Sequence, residues 1–248
     1  MRNFIFPFIT ILLSLFLFSF GVWTFMQSTY QDKIRKDFQE KQEISFEKLK
    51  DVKLLSDKII LVKGKILDTD TFNGKHNKKV VIERYTEEKK NINSKKDFKV
   101  IKENSYFKTI PFKLYFGDKN NSILVDTYNI EKAFLGEPEL KEEKFDTEIL
   151  NKKLWQFRPN EEIYVMGLLE EKAGEFVITN PNLNKSFFDF SKEPFIITKY
   201  KPSEVAIKAR DIAKSIFYSS IALMSITIFI CVSSIINIVK NKKAQENL

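Results

Sequence analysis

Cysteine and histidine are almost missing from this 248-residue chain: Cys231 is the single thiol and His76 the single imidazole. No disulfide framework can form within it. Structural zinc sites take about four Cys or His ligands and catalytic ones about three. A zinc finger or a RING domain is therefore excluded, and no metal is expected. Because a chain without thiols suits oxidising and reducing spaces equally, the shortage says nothing about compartment. Also absent are the G-x-x-x-x-G-K-[ST] phosphate loop, the G-x-G-x-x-G fingerprint, the G-x-S-x-G elbow and the H-E-x-x-H pair. The expectation is a protein with no cofactor and no catalytic residue, not an enzyme.

Charge is also scarce at the two ends. No charged residue occurs between Asn3 and Gln31, and "FIFPFITILLSLFLFSFGVWTFM", Phe4 to Met26, is long enough as a helix to cross a hydrocarbon layer of about 30 Å. Pro7 falls in the first turns, where its missing N–H is tolerated. The run exceeds the usual length of a signal-peptide core, and no small-x-small site follows it, so a retained anchor is expected. A second uncharged window runs from Ser215 to Val239 and is stopped by "KNKK". Trp23, Tyr30 and Tyr218 then mark one membrane interface, with both tails beyond the other. Serines in the second span have two options, their own helix carbonyls or the first helix; the former is expected.

Lys and Arg (41) exceed Asp and Glu (33) for a net charge of +8. With the tails removed, the middle keeps about +5, spread along its length as a solvated surface, so no nucleic-acid partner is expected. Lys33, Arg35, Lys36, Lys208, Arg210 and Lys214 flank the two spans and are candidates for contact with lipid headgroups.

From Lys58 onward the apolar pattern has period two. "KIILVKGKILDT", "KKVVIERYT", "SYFKTIPFKLYFG", "NSILVDT", "EEIYVMGLLEEK", "GEFVITN" and "PFIITKY" read as strands between turn residues. Phe112, Leu114 and Phe116 alternate with Lys113 and Tyr115, and Ile123 and Val125 repeat the pattern after "GDKNNS". The predicted fold is a membrane α-helical hairpin of two transmembrane helices enclosing a mainly-β, α+β domain, a curled antiparallel sheet or barrel. Its parts are a tail and first span over 1–30, a charged stalk over 31–57 and the β-rich domain over 58–202. A juxtamembrane helix continues into the second span over 203–239, and a basic tail covers 240–248. Pro202, the N-cap Ser203 and Glu204 start that helix, with Val205, Ala209, Ile212 and Ile216 on one face. Ile34 and Phe38, four apart, allow helix in the stalk, although a solvated stretch is the expectation. Glu131 to Trp155 reads as a charged, partly helical insertion, and Glu87 to Lys99 as an exposed loop.

His76 has cationic neighbours and no carboxylate to orient it, so it is expected to be a loop residue. Asp68, Asp70, Asp118 and Asp126 lie at strand ends, where carboxylates make turns by default. Asp118, Lys119, Asn120, Asn121 and Ser122 form a candidate interaction loop at the hairpin tip. Asn120-Asn121-Ser122 and Asn184-Lys185-Ser186 also fit the N-glycosylation pattern, which matters only in a secretory lumen.

Taken in order, "LVKGKILD", "NGKHNKKVVIERYTEE", "PFKLYFGDKNNSILVD", "PNEEIYVMGLLEE" and "PFIITKYKPSEVAIKARDIAK" resemble the GIDE domain, also called BAM for "beside a membrane". In that family the domain lies between two transmembrane helices of membrane-anchored ubiquitin ligases and of prokaryotic proteins. Charged "DTDT" (Asp68 to Thr71) replaces the common Ser-Pro element, and no Cys precedes the strand ending at Arg84 and Tyr85. Nine residues, Lys240 to Leu248, follow the second span in place of a RING domain, so ligase activity is not carried over. The resemblance implies an integral, multi-pass protein whose domain binds another protein, or lipid, beside the bilayer, and self-association is compatible with it. Its alternatives are a tethered hydrolase using strand-end carboxylates and a scaffold subunit packed through its helices. The family orientation puts the tails in the cytoplasm and the domain outside. Basic domain-side flanks oppose this, but long domains translocate with weaker charge control, so the outward orientation is expected.

Overall fold

The computed structural model describes residues 2–49, 58–69, 71–91, 100–128, 139–145, 148–182 and 193–246. Asp70 and Asn184-Lys185-Ser186 lie outside the described residues. The chain divides into a helical unit, Met1–Gln39 with Ser203–Leu248, and a β-rich unit, Glu40–Pro202.

Two helices make the first unit. Helix α1 runs unbroken over Arg2–Glu40 and α3 over Pro202–Glu246. The first ten residues of the expected stalk therefore extend α1, and Ile34 and Phe38 are buried on it. Ser220 Oγ meets Thr24 Oγ1 at 2.8 Å, and the Phe25 and Phe217 rings lie 5.7 Å apart. Steps forward along α1 match steps backward along α3, so the helices pair antiparallel. That register sets Tyr218 almost level with Trp23. The pair buries small and hydroxylated residues at near-heptad spacing: Ser14, Gly21 and Ser28 on α1, and Ala206, Ala213, Ser220 and Thr227 on α3. Within the two uncharged windows the large apolar side chains mostly face outward, Phe16 being 69% and Phe229 74% exposed. The expected face on α3 is corrected accordingly. Val205 and Ala209 are buried, but Ile212 is exposed, because close helix approach selects small side chains over branched ones.

Five strands of the second unit close a barrel: β1 (Ile59–Ile66), β6 (Phe112–Phe116), β7 (Asp118–Val125), β11 (Glu175–Thr179) and β10 (Glu162–Lys172), which returns to β1. Every ladder is antiparallel except β7 with β11. This Greek-key closure has the plan of an OB-fold barrel. β12 (Ile196–Thr198) adds to β10 beyond β11, and α2 (Phe46–Leu49) places Leu49 in the core. Phe112, Leu114, Ile123 and Val125 are fully buried, as their alternation requires, together with Val62, Ile66, Val165 and Ile178. Removal of these side chains from water is the main stabilising term of the barrel.

Two excursions leave the barrel and meet each other. Between β1 and β6 come β2 (Phe72–Asn73), β3 (Lys79–Val80), β4 (Ile82–Asn91) and β5 (Val100–Thr109). Between β7 and β10 come β8 (Glu139–Phe145) and β9 (Glu148–Phe157). Together they form a second antiparallel sheet, β5-β4-β9-β8, with β4 and β9 in register from Ile82 opposite Phe157 to Asn91 opposite Glu148. Two expectations are corrected here. The stretch read as a partly helical insertion holds β8 and β9, and Glu87–Asn91, read as loop, is the end of β4; residues 92–99 are not described. Lys and Glu at successive positions hid the period-two signal, since ladder bonds and cross-strand pairs such as Glu87 opposite Lys152 hold this sheet without apolar alternation.

Candidate functional site

Charged and polar groups gather where the β2–β3 turn lies over the second sheet. Side chains alternate along a strand, so Glu83, Tyr85 and Glu87 of β4 share one face. Register adds Tyr106 and Lys108 from β5 and Lys152 and Gln156 from β9 to the same face. Glu83 is 2% exposed. A buried carboxylate needs donors, and three converge on this one. Tyr106 Oη donates to Oε1, while Gln156 Nε2 (2.6 Å) and the Lys75 backbone N–H (2.8 Å) donate to Oε2. Burial works to raise the Glu83 pKa, but these hydrogen bonds outweigh it and hold the carboxyl below its ordinary value. Tyr106 is pushed up, first by burial and then by its bond to Glu83.

The turn itself is the 3-10 segment Lys75–Asn77, with His76 and Asn77 at φ 63° and 55°. Gly74 precedes it because a Cβ there would collide with Glu83 Oε2 and lie 2.8 Å from Val80 Cγ2. Gln156 relays the network outward. Its Nε2 also donates to Lys75 O (3.2 Å), and its Oε1 accepts from Arg158 Nη2 (2.8 Å). Lys199 Nζ donates to Gln156 O at 2.8 Å and pairs with Glu161 Oε2 at 2.7 Å. A single connected set of polar groups thus ties the β2–β3 turn to β4, β5, β9 and the segment after β12. Neither Glu83 nor Gln156 was singled out in the sequence, because β9 was not legible as a strand. Once β4 and β9 are aligned, an acid opposite an amide at the strand ends is the available signal.

The candidate interaction loop, Asp118 to Ser122, directly follows the hairpin turn and is paired as the first residues of a strand. Gly117 alone turns the hairpin, at φ 71°, and Asp118–Ser122 belongs to β7. A register shift there sets Phe116 opposite Asp118 but Tyr115 opposite Ser122, so Lys119, Asn120 and Asn121 form a bulge. Gly117 and Asn121 border an open groove of about 750 Å³, whose other walls include Glu43, Ile44, Lys63, Tyr115 and Glu162. Asp118 accepts from the Asn120 N–H, and Asp126 from the Tyr128 N–H, each at 3.0 Å, so both make Asx turns. They stand at opposite ends of β7, too far apart to act on one bond. Asp68 and His76 are exposed. Among the described residues, no group of three or more His, Cys, Asp or Glu is placed to hold a metal ion.

Several headgroup candidates have partners on their own helices: Arg35 (2.7 Å) and Lys36 (3.3 Å) pair with Asp32, and Arg210 (3.2 Å) with Asp211. Lys33, Lys208 and Lys214 lie on the same two helices. Comparison of this chain with protein families, with curated proteins and with solved structures gives no match. The GIDE/BAM resemblance therefore stands on the motifs alone.

Proposed function

We propose that this chain is a two-span membrane protein whose β-rich unit, a GIDE/BAM-like module, binds a partner and performs no catalysis. The inverted burial of the helix pair carries the membrane part of the reading. Ser14, Gly21, Ser28, Ser220 and Thr227 turn inward, while Leu13, Phe16, Ile226 and Phe229 face out, on apolar runs longer than a hydrocarbon layer is thick. Water would oppose that arrangement, and lipid supports it. The hydroxyls are also satisfied internally: Ser14, Ser28, Thr227 and Ser234 bond to carbonyls of their own helices, and Ser220 reaches both Ile216 O and Thr24 Oγ1.

The binding part of the reading is supported by the second sheet. Its polar network fixes the β2–β3 turn over a sheet that barrel closure does not require. The hydrolase alternative loses support from the separation of Asp118 and Asp126. For orientation we propose the domain outside and the tails in the cytoplasm, with Trp23 and Tyr218 at the domain-side interface. Alkaline carbonate washing of membranes tests the membrane part. The full chain should stay with the lipid pellet and leave it only with detergent, whereas release by carbonate alone would refute integral insertion.

A further inference from the structure

The face that carries Glu83 also holds the makings of a cage for a cation. Tyr85 and Tyr106 are cross-strand partners, with ring centroids 5.6 Å apart. Each phenol is directed at a carboxylate: Tyr85 Oη donates to Glu87 Oε2 at 2.5 Å, and Tyr106 Oη donates to Glu83. Two electron-rich rings fixed by two acids are a favourable setting for an ammonium group. One is already present, since Lys75 Nζ sits over the Tyr85 ring, 2.8 Å from its centroid. Burial depresses the Lys75 pKa, Glu87 and Glu83 draw it back, and Lys152 opposes them. The occupant is thus a half-buried ammonium seated over the Tyr85 ring, with Glu87 and Glu83 acting on it electrostatically.

Walls and occupant differ in how firmly they are held. Glu83, Gly74 and the Lys75 N–H pin the backbone of the turn, whereas the Lys75 side chain is a flexible stem that can swing away. Tyr106, 41% exposed, keeps the cage next to solvent. A primary ammonium is strongly hydrated and costly to strip of water, while an alkylated ammonium spreads its charge over a larger, weakly hydrated group. We propose that Tyr85, Tyr106 and Glu87 form a binding site for an alkylated ammonium ion, closed in this conformation by the Lys75 side chain, which the ligand displaces. The inference takes the β-rich unit to be the binding module. Its test does not involve the helices, so failure here leaves the membrane reading standing.

The full chain in maltoside micelles, a detergent without ammonium groups, is titrated with tetramethylammonium and with choline while amine labelling of Lys75 is followed by mass spectrometry. Ligand entry releases Lys75, so its labelling should accelerate saturably, with lysines elsewhere unaffected. Lys75→Ala should bind choline about ten-fold more tightly than the wild type, and Lys75→Ala/Glu87→Gln should lose that gain. Unchanged Lys75 labelling in the wild type overturns the site even if the variants fail to fold, as does equal choline affinity in folded Lys75→Ala and the double variant. Acceleration in phosphatidylcholine nanodiscs without free ligand identifies a lipid headgroup as the source. Acceleration by free choline alone identifies a soluble one.

Discussion

Glu83 accepts hydrogen bonds from Tyr106, Gln156 and Lys75, so replacing it with alanine leaves donors unmatched in a buried place. A buried donor without a partner costs about 1–3 kcal/mol. Glu83→Ala should therefore destabilise the β-rich unit by roughly 2 kcal/mol or more and lower its melting temperature by roughly 4–8 °C. Near-ultraviolet circular dichroism would show the shift, and an unchanged melt would mean that the network carries no stability. The pH dependence follows from the direction of the shift. The folded carboxyl lies below the ordinary value of 4.5, so its contribution is complete above that pH and is lost as pH falls through the lower folded value. Glu83→Gln should remove this acid limb, and retention of the full limb in the variant would assign it to other carboxylates.

At the scale of elements, the helix pair depends on close approach. A Cβ on Gly21 would lie 2.7 Å from Met224 Cγ, so Gly21→Val should force α1 and α3 apart. Thr24→Cys with Ser220→Cys, in a Cys231→Ser background, should form a disulfide, since the two hydroxyls already touch at 2.8 Å. Adding Gly21→Val should reduce that cross-link sharply, and an undiminished yield would contradict the packing. The barrel strands were legible because burial of one face imposes strict alternation, as in Phe112–Phe116. The second sheet was legible only in part: the start of β4 and the end of β5 read as strands, whereas β8 and the start of β9 read as a charged insertion because their stability comes from ladders and cross-strand pairs, which leave no apolar period. For the same reason the Glu83 network was hidden, as its members come from β4, β5 and β9 and only strand register joins them. On α3 the expected face failed at Ile212 because an apolar stripe marks the core side of a helix in water, whereas small residues mark the contact side here.

For the whole molecule, the two proposed membrane crossings put the β-rich unit on one side and the end of α3 on the other. One labelling experiment decides this. With Cys231→Ser as background, a single cysteine is placed either at Ser105, exposed on β5, or at Gln245, near the end of α3, and intact cells are treated with a membrane-impermeant maleimide. The Ser105 position should label before lysis and the Gln245 position only afterwards. The reverse order would keep the two crossings and overturn the outward orientation. Equal labelling of both positions before lysis, or of neither, would place them on one side and contradict the two-span account.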